Sequence, residues 1–372
     1  MRLLISAGEA SGDMHGAALL GALRQQLLPA PVECFGLGGE RLREAGCQTV
    51  VDAKDVAVLG LAEVAGQLPH IYRKFHRLLA EVDRRRPDAA VLIDFPEFNF
   101  RLARQLHRRG IPVIYYISPQ LWAWRRGRVR LVQRYVRKML VIFPFEREFY
   151  GRHGVEVEFV GHPLADRKSI AVGRNARQIA LLPGSRRREI ELNLPTMLAA
   201  ATLMHARHPE LSFRLPVAST IRWTWLEGLI APAALPLELA ADAHEVLAGS
   251  QAAVVASGTA TLEAALAETP FVMVYRLTAL TWLLGRRLVD VPFFCIVNLI
   301  AGREIVPELV QQDFTAAKVA AEVERVLADG PPRRQMLDGL CEVRAKLRAA
   351  GDASASLTAA REVLKIVQLG RV

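Results

Sequence analysis

Short runs of consecutive apolar residues alternate with longer amphipathic stretches along the chain, and the alternation starts over once. In the first half, 3–6, 89–93, 112–117 and 139–143 read as strands, and 16–27 and 100–109 as helices. Strands with no polar face belong to parallel sheets covered on both sides. The rhythm restarts after His162-Pro163, with strands expected at 178–182, 212–217, 252–256 and 271–274 and helices at 189–205 and 261–267. Residues 316–367 read as helices rich in Ala, Glu, Arg and Leu. Pro163, Gly173 and a polar stretch interrupt the pattern over 160–177, which predicts a domain seam there. The expected fold is α/β, with two Rossmann-like, doubly wound parallel-sheet domains at 1–165 and 166–345. A helical tail, 346–372, follows, and its packing back on the first domain is left open.

Composition narrows the class. The chain has 372 residues, against about 150 per domain, and 51% are hydrophobic, which excludes wholesale disorder. Net charge is +10, and seven of the excess positive charges lie within residues 1–165. A basic balance points to anionic partners: nucleic acid, a membrane surface or phosphorylated small molecules. The four cysteines are widely spaced without a C-x-x-C pair, which fits a reducing compartment and argues against a zinc site. The histidines show no H-x-x-x-H pair either, so no metal is expected. The longest uncharged runs, 250–262 and 291–302, fall short of the about 20 residues that span a bilayer. The first residues read as a buried strand rather than an export signal, so a cytoplasmic protein is expected.

In doubly wound sheets ligands sit beyond the carboxyl ends of the strands, so the loops there carry the candidate chemistry. Residues 7–13, Ala-Gly-Glu-Ala-Ser-Gly-Asp, predict a tight turn with exposed backbone N–H groups, in which Glu9 and Ser11 face a ligand. The spacing is not G-x-G-x-x-G, so no dinucleotide cofactor is expected. Asp94 directly follows an apolar strand, where a carboxylate can act as a general base, and Glu97 is a weaker candidate. Trp122 and Trp124 precede Arg125, Arg126 and Arg128, a mixture suited to sugar, phosphate or lipid headgroups, or to a basic helix beside a buried Trp pair. Gly184, Ser185 and Arg186 form a turn before a helix, where dipole and guanidinium can grip a diphosphate. Ser257, Gly258 and Thr259 form a second such turn, and Glu263 sits about one turn further on, where it can accept ribose hydroxyls. Asn298 is the sharpest residue of a polar cluster at 298–308. Leu61, Val64, Leu68, Ile71, Phe75, Leu78 and Val82 recur at helical spacing beside Arg73, Lys74 and Arg77, which suits either a core helix or one lying on an anionic membrane.

Seven motifs then occur together and in order: AGEASGD at 7–13, DFPEFNF at 94–100, SPQLWAWR at 118–125, VGHPL at 160–164, GSRRREI at 184–190, SGTATLE at 257–263 and NLIAGREIVPE at 298–308. The set resembles the lipid-A-disaccharide synthases, inverting glycosyltransferases of the GT-B type, whose two Rossmann-like domains face a cleft. The resemblance implies transfer of 2,3-diacylglucosamine from its UDP derivative to the 6-hydroxyl of 2,3-diacylglucosamine 1-phosphate (lipid X), without cofactor or metal. It implies Asp94 as the base and Glu9 in the acceptor loop. Gly184, Ser185, Arg186, Ser257, Gly258, Thr259, Glu263 and Asn298 fall on the donor side. Ser11, Trp122, Arg125, Arg126 and Arg128 fall toward the acceptor phosphate or the membrane. It also implies peripheral attachment to an anionic inner-membrane surface, with homo-oligomerisation left open. The family pattern often carries Asp at 97 and Pro at 297, where this chain has Glu97 and Val297. The alternatives are another GT-B enzyme with a UDP-N-acetylglucosamine-type donor, such as a peptidoglycan lipid glycosyltransferase or an epimerase, and a nucleic-acid-binding protein. The last leaves Asp94 and Glu263 unexplained, because carboxylates repel phosphates, and no nucleic-acid partner is expected.

Overall fold

The computed structural model describes residues 1–56, 61–167, 172–278, 282, 291–349, 351 and 353–369, with backbone alone for 61–67. It divides into two compact units: Met1–Asp166 together with the segment from Leu347, and Arg167–Lys346.

The first unit is built on seven strands: β1 (Arg2–Ala7), β2 (Glu33–Gly38), β3 (Gln48–Asp52), β4 (Ala89–Ile93), β5 (Val113–Tyr116), β6 (Lys138–Val141) and β7 (Val157–Phe159). Their order is β3-β2-β1-β4-β5-β6-β7 and every pairing is parallel. The helices are α1 (Ala10–Leu27), α2 (Glu40–Glu44), α3 (Leu61–Arg85), α4 (Pro96–Arg108), α5 (Val129–Tyr135) and α6 (Phe145–Gly151). On one face Leu4, Phe35, Leu92 and Tyr115 pack against Leu78 and Val82 of α3 and Leu102 and Leu106 of α4. Each such side chain contributes roughly 1.5–3 kcal/mol on burial.

The second unit repeats the plan with β8 (Asn175–Leu182), β9 (Ser212–Pro216), β10 (Leu237–Ala240), β11 (Ser250–Ala256), β12 (Phe271–Tyr275) and β13 (Glu308–Val310). Their order is β10-β9-β8-β11-β12-β13, again all parallel. Its helices are α7 (Arg187–Arg207), α8 (Trp223–Ile230), α9 (Ala243–Gly249), α10 (Thr259–Leu266), α11 (Ile296–Ala301), α12 (Ala316–Leu327) and α13 (Pro331–Lys346). The last helix, α14 (Ala355–Leu369), belongs to the first unit. There Gln26 of α1 donates to the Leu357 carbonyl at 3.0 Å, Ala355 N donates to Asp166 at 2.8 Å, and His162 N donates to the Leu347 carbonyl at 2.8 Å.

Strand order places the candidate loops. In both sheets the first strand of the unit separates connections that run left from those that run right, so the crevices lie beyond β1/β4 and β8/β11. The structure corrects one expectation here and divides another. The 7–13 stretch is a turn only at Gly8 and Glu9; from Ala10 it is helix, because Asp13 N bonds to the Glu9 carbonyl at 2.9 Å. The apolar spacing of α3 serves two environments. Leu78 and Val82 are fully buried and Ile71 and Phe75 pack on the core, whereas Leu68 and Tyr72 are exposed. The Leu61 and Val64 side chains lie outside the described residues.

Candidate active site

Asp94 follows β4 at the point where the chain turns into α4. Asp94 and Phe95 are both left-handed, with φ of 43° and 48°, and Pro96 then fixes the first helical turn. Each such residue stores about 1–3 kcal/mol of strain, which the surroundings must hold. They do so through the Asp94 carbonyl, which accepts from Tyr115 Oη at 2.6 Å and from Asn99 Nδ2 at 2.7 Å. Asn99 is fully buried, and its Oδ1 also accepts from Ser6 Oγ at 2.7 Å, tying the end of β1 to the end of β4. Ala7 and Ile93 are paired across this ladder, so Glu9 and Asp94 leave adjacent strands in the same direction. Gly8 permits the approach, since a Cβ there would fall into the Phe95 ring. Desolvation, and then the charge of Glu9, pushes the Asp94 carboxyl up to about 6. A carboxylate held there is a stronger proton acceptor than a free one and is still ionised at neutral pH.

The remaining first-unit candidates divide. Ser11 is exposed on the first turn of α1. Asp13 is not a ligand group: its carboxylate accepts from Gly39, Arg41 and Leu42 N–H at 2.6–3.2 Å and so caps α2. Trp122, expected toward the acceptor, is 9% exposed and stands edge-on to Phe145 with centroids 5.0 Å apart, so its ring packs as core. Trp124 is the exposed member of the pair, with the Arg125 guanidinium 4.3 Å from its ring centroid. Glu97 is exposed and pairs with Arg128 at 2.9 Å and with Arg125, which together hold its carboxyl below the usual range. Glu97 therefore anchors the arginines; Arg126 is exposed beside them. Below this loop lies Glu146, a residue that sequence reasoning missed. It is fully buried, and desolvation pushes it up to about 8 although Ile142 and Phe143 N–H groups donate to it.

In the second unit, the turn after β8 begins at Gly184 and enters α7 with Arg186 as its N-cap. The Ser185 and Arg186 N–H groups, expected to be open to an anion, both donate to Glu189 Oε2, at 3.1 and 3.3 Å. Glu189 thereby makes the returning half of a capping box, and Arg186, 83% exposed at its side chain, meets the same carboxylate at 3.1 Å. The turn after β11 differs. Gly258, at φ 143°, is the N-cap of α10, and no side chain caps that helix. Ser257 Oγ donates to the Phe294 carbonyl at 3.2 Å, and Thr259 opens the helix. Glu263 lies one turn on, its side chain 22% exposed and 3.3 Å from Arg167. Burial raises its carboxyl more than Arg167 lowers it.

Asn298 is where the expectation changes most. It is fully buried and saturated: Nδ2 donates to the Val306 carbonyl and to Glu308, and Oδ1 accepts from Ile305 and Val306 N–H, all at 2.8–3.1 Å. It positions the 305–308 turn and has no group left for a ligand. Glu308 completes that network by accepting from Phe294 and Cys295 N–H at 2.8 and 3.0 Å. Among the described residues, no group of three or more His, Cys, Asp or Glu could hold a metal ion, and no helix is long and apolar enough to cross a membrane.

Two solved structures with the same arrangement are a glycotransferase of kitacinnamycin (14% identity, TM-score 0.65, 98% of each chain covered) and the calicheamicin glycosyltransferase CalG4 (16%, 0.60, 100% of this chain and 98% of the other). At such identities they show the fold, two parallel-sheet α/β domains of the GT-B class. A family model described as lipid-A-disaccharide synthetase matches residues 3–361. The lipid-A-disaccharide synthase of Koribacter versatilis is 56% identical over 99% of each chain. Those of Acidobacterium capsulatum and Myxococcus xanthus are 46% and 43% identical, over 95% and 100% of this chain and 93% and 99% of theirs. On its motifs, its fold and these full-length matches, the chain belongs to the lipid-A-disaccharide synthase family.

Proposed function

We propose that the two crevices divide the family's reaction between them. The first unit takes lipid X and the second takes UDP-2,3-diacylglucosamine. Asp94 accepts the proton of the acceptor's 6-hydroxyl as that oxygen attacks the anomeric carbon. The bond to the UDP oxygen breaks, giving a β-1,6-linked disaccharide 1-phosphate and UDP with inversion. The observation that carries this reading is the Asp94 carboxyl beside Glu9: desolvated, raised to about 6, and fixed at the carboxyl end of β4 by Asn99 and Tyr115.

On the donor side the 257–259 turn is the better diphosphate site, because the N-terminus of α10 has no side-chain cap, whereas Glu189 occupies the N–H groups of the 184–186 turn. The Arg186 side chain and the donors of the 257–259 turn stabilise the leaving diphosphate without a metal. Glu263 accepts the ribose hydroxyls once Arg167 is displaced. Glu9, Ser11, Arg125, Arg126 and Arg128 line the acceptor side, and the exposed Leu68 and Tyr72 of α3 contact the inner membrane at its cytoplasmic face.

The test is product analysis with both lipid substrates, where a disaccharide 1-phosphate and one UDP per turnover are expected. Turnover of UDP-N-acetylglucosamine with no disaccharide formed would move the chain to another GT-B activity.

A further inference from the structure

The second unit carries a groove that the donor reading leaves unused. It lies between α7 and α8 and has a volume of about 400 Å³, within the range of small-ligand sites. Ile190, Leu194, Leu198 and Ala199 of α7 form one wall, and Leu229 with Pro232 forms the other. Its few polar groups are already engaged. Glu191, the one charged lining residue, pairs with Arg187 at 3.0 Å, and the Thr202 hydroxyl donates to the Leu198 carbonyl at 3.0 Å. Such walls offer a ligand hydrocarbon contact and little else.

The groove is continuous with the 184–186 turn. Ile190 follows Arg186 by one helical turn, and the lining runs along α7 to Thr202, roughly 18 Å at 1.5 Å per residue. Its second wall is fastened to the same turn: Thr220, just ahead of α8, donates to the Ser185 carbonyl at 2.8 Å. The Arg187 guanidinium lies 4.9 Å from the Trp225 ring centroid, joining the first turn of α7 to α8. Arg186, whose side chain is exposed at that turn and is assigned above to the leaving diphosphate, stands at the head of this apolar trough, an arrangement that suits a molecule with a diphosphate and a fatty chain.

We propose that the α7/α8 groove receives one acyl chain of the UDP-linked donor lipid. The proposal rests on the assignment of the donor to the second unit. Ala199 is exposed on α7 and lines the groove, so Ala199→Trp fills the trough without entering the core. Steady-state kinetics with UDP-diacylglucosamines of decreasing chain length read the site directly. For the unaltered protein, KM rises about four-fold per methylene removed, the equivalent of about 0.8 kcal/mol. Ala199→Trp raises KM at least ten-fold and flattens that dependence, while the Kd for UDP, which has no chain, stays unchanged. Ala233→Phe on the opposite wall gives the same pattern and guards against an effect peculiar to the indole. An unchanged KM with the chain-length dependence intact overturns the proposal, as does a change of oligomeric mass with unchanged KM, which would assign the groove to a second copy of this chain. Failure of the unaltered protein to bind UDP would instead strike the donor assignment, and the groove proposal with it.

Discussion

The two sheets follow one strand order, with seven strands in the first and six in the second, yet their crevices present different groups. Beyond β1 and β4 two carboxylates leave neighbouring strands, and a strained turn holds one of them partly desolvated. Beyond β8 and β11 the chain offers helix N-termini and glycine turns, with Glu189 folded back on the first turn and Glu263 one turn into α10. Strand order determines where a site lies; the residues just past each strand determine whether it accepts a proton or an anion. Each unit also holds a turn with a buried asparagine. Asn99 clamps the Asp94 turn, and Asn298 clamps the 305–308 turn.

The comparison can be broken at five points. The largest effect is expected from Asp94→Asn, which removes the proposed proton acceptor and should lower kcat about 10²–10⁴-fold; UDP affinity by calorimetry should not move, since the second crevice is intact. Asn99→Ala and Asn298→Ala each leave buried backbone groups unpaired, at a cost of about 2–3 kcal/mol in urea unfolding. Only Asn99→Ala should also lower kcat, because only it releases Asp94. Glu263→Ala should raise the donor KM about ten-fold with kcat little changed, the loss of hydrogen bonds to a charged group. Glu189→Ala removes the cap of α7 at about 1 kcal/mol, and equal Tm values for this variant and the parent would discount the capping box. The smallest effect concerns pH. The acceptor base must be deprotonated, so kcat/KM should fall as pH drops through about 6. Glu9→Gln removes a negative neighbour, eases ionisation of Asp94, and should move that limb to lower pH.

Much of this plan is legible in the residue pattern, and the omissions have physical causes. The central strands β1, β4, β5, β8, β11 and β12 carry mostly apolar buried segments because helices cover both faces, and those segments stand out. β2 hides because Gly36 and Gly38 interrupt its apolar run, β3 and β10 because edge strands are half exposed, and β7 and β13 because three residues carry no period. The site positions are legible for a related reason: Asp94, Gly184 and Ser257 end apolar runs. What those residues bond to is not legible. Glu189 carried one usable signal, an acidic residue three places after an N-cap. Asn99, Glu146 and Glu308 carried none, since their partners lie elsewhere in the chain, or in turns whose shape packing decides.

The return of α14 to the first unit makes that unit discontinuous, with Arg167–Lys346 inserted into it. On the ribosome the inserted unit is therefore complete before its host. The first sheet, though synthesised earliest, must wait for residues 355–369 to cover α1, whose Gln26 bonds to the Leu357 carbonyl of α14. During that interval the face of α1 that α14 covers stands open to solvent. Nascent chains halted between residues 346 and 355 should be the chaperone-dependent and protease-sensitive ones, with the sensitivity confined to the N-terminal unit.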